Sequence, residues 1–167
     1  MPKSEQGVNS QRYQVIPRSL IFITDKDRVL LLKGAAHKRL WANKYNGIGG
    51  HVELGENIYQ GAQRELKEEA GLDVRPLWLC GSIMIDAGET TGIHLFVFKG
   101  QYQGGTPRAS TEGELEWIPI DKIQDYPLVE DLKVIVPEIL KQEAGQMLYA
   151  HYHYDDLDQL KIKYQVV

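Results

Sequence analysis

The sequence predicts one domain of mixed α/β or α+β class, a mixed sheet covered by helices. Three observations predict it. Several short apolar or alternating runs read as strands, and two longer segments have helical spacing. The chain of 167 residues, 43% hydrophobic and 25% charged, has the size and composition of an ordinary globular domain with its own core. Other classes are disfavoured. The net charge of -4, from 19 basic and 23 acidic residues, argues against a broad nucleic-acid surface, so no nucleic-acid partner is expected. No apolar run approaches the roughly 20 residues that cross a bilayer, so no membrane partner is expected either. The polar opening lacks the apolar core of a signal peptide, and the single Cys80 cannot form an internal disulfide. A cytoplasmic protein is the expectation.

Residues 1–14 read as a flexible leader, and 15–167 as the single domain. Val15–Ile23 and Val29–Lys33 are apolar runs parted by the polar Thr24–Arg28, a hairpin signal. A basic, glycine-containing loop from Gly34 to Tyr45 leads into Asn46-Gly47-Ile48-Gly49-Gly50. Asn57–Ala70 is helix-friendly, and Gly71 is placed to stop it. Strand-like runs return at Leu77–Ile85 and His94–Lys99. A Gly- and Pro-containing loop, Gly100–Gly113, separates them from a further strand at Glu114–Ile120. A second helix is expected between Leu128 and Ala144, with Leu132, Val136, Ile139 and Leu140 on one face. Pro137 falls inside it and is expected to hold back the regular part until just before the proline. Met147–Tyr154 and Leu160–Val166 alternate around Asp155-Asp156-Leu157-Asp158 and predict a C-terminal β-hairpin. Its exposed edge leaves monomer and homodimer both open.

Chemistry concentrates between Gly49 and Leu72. Glu65, Glu68 and Glu69 stand at i, i+3 and i+4, one face of a helix. They repel one another and lie at the negative end of the helix dipole, where anions are least welcome. A solvated acidic face is one reading. A divalent cation offsets both penalties and is the other, since Mg²⁺ prefers a few carboxylates together with substrate phosphates. Gly47, Gly49 and Gly50 let backbone approach a ligand closely. Glu56, eight residues before Arg64, either favours the helix start or pairs with Arg64 and fixes loop to helix.

Read together, GHVELGENIYQGAQRELKEEAGL, residues 50–72, resembles the Nudix box at every defining position: Gly50, Glu56, Arg64-Glu65, Leu66, Glu68-Glu69, Gly71 and Leu72. The resemblance implies a Nudix-type α/β/α sandwich, a mixed sheet flanked by helices, that hydrolyses a phosphoanhydride of a nucleoside diphosphate linked to another group, using Mg²⁺ or Mn²⁺. It implies Glu65, Glu68 and Glu69 as metal ligands beside the Gly49 carbonyl, with Glu65 or Glu69 activating water. The resemblance also implies that Arg64 and Glu56 belong to the same machinery. The small-molecule partner is a nucleotide.

Outside the box the chain resembles the MutT-like branch that clears oxidised purine nucleoside triphosphates. The likeness runs through Arg28-Val29-Leu30-Leu31, Asn46-Gly47, Glu112 five residues before Trp117, and Glu130-Asp131. It implies hydrolysis of a nucleoside triphosphate to monophosphate and pyrophosphate, with 8-oxo-dGTP a candidate substrate. Asn46, Glu130 and Asp131 would read the base, and Glu112 would add a metal-side carboxylate with Glu114 as the fallback. Asn46 as a loop cap and Glu130-Asp131 as a helix start are the plain alternatives. The branch's base-stacking aromatic aligns with Leu128, which cannot stack; Trp41, Tyr45 and Tyr126 are the substitutes to weigh. In the basic stretch of Lys33, His37, Lys38, Arg39 and Lys44, Lys33 is the candidate phosphate ligand. ADP-ribose, a dinucleoside polyphosphate or another nucleotide derivative is the rival substrate, and a non-catalytic nucleotide-sensing domain the remote rival.

Overall fold

Strand β1 (Gln14–Asp25) sets the layering, because four consecutive apolar residues alternate between its two faces. Leu20 and Phe22 join one buried cluster, and Ile21 and Ile23 join the other. Each cluster is closed by one helix. Leu132, Ile135, Val136 and Ile139 of α2 (Leu132–Lys141) cover the face of Leu20 and Phe22, and Ala62, Leu66 and Ala70 of α1 (Ile58–Ala70) cover the face of Ile21 and Ile23. The computed structural model describes residues 2–9, 11–37, 40–108 and 110–167, and in it the chain is a helix–sheet–helix sandwich, as the sequence predicts.

The sheet also contains β2 (Arg28–Gly34), β3 (Tyr45–Asn46), β4 (Leu77–Asp86), β5 (Thr91–Gln101), β6 (Gly113–Pro119), β7 (Leu148–Tyr154) and β8 (Leu160–Val166). Its order is β3-β2-β1-β5-β4-β7-β8, with β6 on the other side of β2. The β1–β5 and β4–β7 pairs are parallel and the others antiparallel, so the sheet is mixed. The terminal hairpin of β7 and β8 extends this sheet beside β4. No helix among the described residues is long and apolar enough to cross a membrane.

One arrangement positions the site. Strands β1 and β2 pair only near their turn, Ile23 to Asp25 against Arg28 to Leu30, and then part. The segment from Tyr45 to Val52 fills the gap. Tyr45 and Asn46 pair with β2. Ile48 exchanges backbone hydrogen bonds with Ile21, at 2.7 and 3.2 Å, Ser19 N–H donates to Gly50 O at 2.8 Å, and Val52 N–H donates to Pro17 O at 3.0 Å.

Two boundaries differ from the sequence reading. The leader's last residue, Gln14, already belongs to β1. The second helix starts at Leu132, five residues ahead of Pro137. A proline costs a helix one hydrogen bond, the one its missing N–H would give to the carbonyl four residues back. Here that carbonyl, of Lys133, accepts instead from the Gln124 side-chain amide at 3.0 Å.

Candidate active site

Helix α1 is held at both ends by its own sequence. Asn57 accepts from the Tyr59 and Gln60 backbone N–H groups while the Gln60 side chain accepts from the Asn57 N–H, and Gly71 ends the helix in the left-handed region at φ 66°. Its buried face fixes its rotation, which turns Glu65 and Glu69 towards the glycine segment between β1 and β2. The approach is close. The Gly49 N–H donates to Glu69 Oε2 at 2.9 Å, and a Cβ on Gly50 would stand 2.5 Å from Glu65 Oε1. At Gly49 a side chain is excluded twice, by φ of 152° and by the Ser19 carbonyl oxygen 2.1 Å from where its Cβ would lie.

Arg64 gathers the carboxylates. Its Nε and Nη2 donate to both oxygens of Glu56, at 3.1 and 2.8 Å, and Nη1 donates to Glu65 Oε1 at 2.9 Å and Glu68 Oε2 at 3.1 Å. Nη2 also donates to the His51 carbonyl at 2.8 Å, so the guanidinium ties the loop to the helix. The Glu56 carboxyl is held below its ordinary value, first by the Arg64 hydrogen bond and then by the Glu53 N–H at 2.7 Å. Of the two sequence readings for Glu56, pairing with Arg64 is what the geometry contains.

Glu65, Glu69 and the glycine segment border a cleft of about 850 Å³. Gly49, Gly50, Glu65, Glu69 and Glu112 line it, together with Asn46, Glu130 and Asp131 from the elements across it. Asn46 Oδ1 accepts from the Gly47 N–H at 2.8 Å, which leaves its amide nitrogen to meet a ligand. Asp131 precedes α2 but makes no side-chain capping bond. Burial raises its carboxyl above the ordinary value, and its neighbour is the Tyr152 hydroxyl, itself driven upward chiefly by burial. An Asp131 kept neutral is a hydrogen-bond donor as well as an acceptor.

Other predicted residues lie elsewhere. Lys33 does not line the cleft. Its Nζ sits 4.0 Å from Glu116 Oε1 and 5.7 Å from the Tyr45 ring centre, because it alternates with Leu32, the β2 residue that does line it. Glu68 stands outside the cleft lining, 60% exposed and bound to Arg64. Glu114 pairs in register with Lys33 and is not in the lining. Leu128 is buried in the core. Tyr45 packs edge-on against Tyr126, donates to Glu116 Oε2 at 2.8 Å and has its phenol pushed up to about 12, mainly by burial. Trp41 is the substitute aromatic that reaches the cleft, half-exposed and held at φ 58°. Lys44 lines the cleft too, while Lys38 and Arg39 lie outside the described residues.

Sequence reasoning missed two sources of cleft-lining side chains, the terminal hairpin and Arg18. Tyr152 and Leu160 reach the cleft from the terminal hairpin, which no spacing in the chain connects with the box. Arg18 also lines it, and its signal was available: a lone charge in the middle of an apolar strand.

The oxygen-only donors suit a hard divalent cation. Among the described residues no three acidic, His or Cys side chains are already drawn together as a metal cage. Gly50 leaves the Glu65 carboxylate room that any side chain there would fill.

Comparison with known proteins agrees with this geometry. The NUDIX domain matches residues 16–139. The oxidized purine nucleoside triphosphate hydrolase of Danio rerio is 40% identical over 106 residues, 63% of this chain and 67% of that protein. The protein of the same description from Mus musculus is 32% identical over 141 residues, 84% and 87% of the two chains. Among solved structures, the mutator MutT protein of Bacillus halodurans superposes with a TM-score of 0.75 at 28% identity, covering 91% of this chain and 97% of that one.

Proposed function

The chain belongs to the Nudix family, and from that premise we propose that it hydrolyses an oxidised purine nucleoside triphosphate, such as 8-oxo-dGTP, to the monophosphate and pyrophosphate. One observation carries the reading: a single cleft is lined both by the helix carboxylates Glu65 and Glu69 and by Asn46 and the partly buried Asp131. Relatives of matching description support the same substrate class.

Glu65, Glu69, the Gly49 carbonyl and Glu112 would hold Mg²⁺ or Mn²⁺, with Glu68 at the rim. Such an ion, when bound, neutralises phosphate oxygens and lowers the pKa of water. The protein's own part is positional and acid–base. Arg64 orients Glu65 and offsets the repulsion among the glutamates. Glu65 or Glu69 accepts the proton of the attacking water. The Asn46 amide and the Asp131 carboxyl present a donor–acceptor edge to the purine, and burial lets Asp131 keep its proton to higher pH than an ordinary carboxyl.

The test is turnover of a panel containing 8-oxo-dGTP, dGTP, GTP, ADP-ribose and diadenosine polyphosphates with Mg²⁺, Mn²⁺ or chelator, the products resolved by chromatography. Release of monophosphate and pyrophosphate, with kcat/KM higher for 8-oxo-dGTP than for dGTP and lost on chelation, is expected. Preferential turnover of ADP-ribose or a dinucleotide would retain the glutamates and discard the base-reading roles.

A further inference from the structure

We propose that Arg18 is a substrate-binding residue whose guanidinium takes a phosphate oxygen of the nucleotide. This goes beyond the Nudix reading and rests on it for the presence of a phosphate chain.

Arg18 interrupts an apolar strand. On β1 it shares a face with Leu20, and its parallel partner on β5 is Leu95, both of which line the same cleft. A guanidinium in such a place ordinarily finds a carboxylate. Arg18 makes no ion pair and no side-chain hydrogen bond among the described residues, and its Nε is fully buried without an acceptor. A buried donor left unmatched costs about 1–3 kcal/mol, and more when charged. Arg64, by contrast, satisfies itself on Glu56, Glu65 and Glu68.

Position identifies the missing acceptor. The next residue, Ser19, donates its N–H to Gly50 O at 2.8 Å, and Gly50 abuts the Glu65 carboxylate. The Arg18 backbone therefore runs beside the glycine segment at the glutamate end of the cleft, and its side chain leaves it on the Leu20 and Leu95 face. The described cations of the lining are Arg18 and Lys44, facing a larger set of carboxylates. A triphosphate entering that field needs a positive partner from the protein. A guanidinium is suited to this, since its planar donors match phosphate oxygens and it keeps its charge when desolvated.

The experiment compares the full chain with Arg18→Gln and Arg18→Lys. It measures kcat and KM for the best triphosphate of the panel, the affinity of inorganic pyrophosphate by calorimetry, the inhibition constant of the matching nucleoside, and the melting temperature. Arg18→Gln is expected to raise KM and weaken pyrophosphate about tenfold or more. The nucleoside constant should stay within twofold, the melting temperature should not fall, and Arg18→Lys should recover part of the loss. Unchanged KM and pyrophosphate affinity in Arg18→Gln would overturn the proposal. So would equal weakening of the nucleoside, which would put the guanidinium on the base. Pyrophosphate affinity separates the two readings: a wild-type protein that turns over no triphosphate refutes the proposed function, whereas Arg18 stands or falls on the calorimetry.

Discussion

Replacing Gly50 with alanine tests whether the site depends on a clearance of less than one methyl group. The new Cβ would lie 2.5, 2.6 and 2.8 Å from Oε1, Cδ and Oε2 of Glu65, where ordinary contact begins at 3.4 Å, so the carboxylate must retreat by about 0.9 Å. The obstacle is the far end of a flexible side chain, and Gly50 has no positive φ, so the backbone can stay where it is. What the fold loses is the hydrogen bond from Arg64 to Glu65, about 1.5–3 kcal/mol for a charge-assisted bond. At 2–4 °C per kcal/mol for a chain of this length, the melting temperature should drop by no more than about 12 °C. Catalysis should suffer more, since a displacement of about 1 Å in a reacting group costs about 100-fold. The assay is kcat/KM with the preferred triphosphate beside a thermal melt. Gly49→Ala is the control: it strains the backbone at φ 152° and strikes the Ser19 carbonyl at 2.1 Å, so it should cost folding itself. Activity of Gly50→Ala within threefold of wild type would refute the reasoning, because Glu65 would then work from more than one position.

Three further outcomes are expected. Arg64→Lys cannot span Glu56, Glu65, Glu68 and the His51 carbonyl with one ammonium, and should lower the melting temperature by about 5–10 °C and kcat/KM by at least tenfold; a stable, active variant would remove Arg64 from the machinery. Asp131 has a folded-state pKa raised by burial above the ordinary 3.8, so the folded state binds its proton more tightly and wild-type stability falls as pH rises from about 4 through the raised value. Asp131→Asn escapes that loss, and its melting temperature relative to wild type should climb between pH 4 and pH 8; a constant difference would contradict the shift. Gln124→Ala should cost about 1 kcal/mol by stripping the Lys133 carbonyl of its donor, and nothing in a Pro137→Ala background, where the helix supplies its own; a double-mutant cycle with zero coupling would deny the link.

The elements most legible in the sequence are those whose determinants are local. Asn57 and Gln60 cap α1 with their side chains and Gly71 with its backbone, all within four residues of the groups they bond, so the helix was readable to within one residue. The apolar run of β1 and its hairpin with β2 were equally plain. The box glutamates needed only helical periodicity to be placed on one face. Illegible features depend on partners distant in the chain. Gln124 makes α2 tolerate Pro137, and the parting of β1 from β2 admits residues 45–52. Lys33 shows the limit within one strand: proximity in sequence to the glycine segment suggested the cleft, but alternation along β2 sends it to Glu116 while Leu32 takes the cleft side. Asp131 was legible as a residue and not as an environment, because Tyr152 lies in a strand 21 positions further on.

The terminal hairpin has a consequence for how the molecule comes into being. Leu148 to Tyr152 join the sheet beside β4, and Tyr152, Tyr154, Asp158 and Leu160 wall the cleft. During synthesis the box helix and both of its caps leave the ribosome long before these residues do, and domains fold largely from the N-terminus. The nascent protein would therefore own its glutamates while lacking one wall of the chamber in which they act. Pairing β7 with β4 closes a loop of more than 60 residues, the kind of non-local step that comes late and slowly. Hydrolytic competence would wait on the hairpin rather than on the box, and a nucleotide in the cleft would brace the strands that close it.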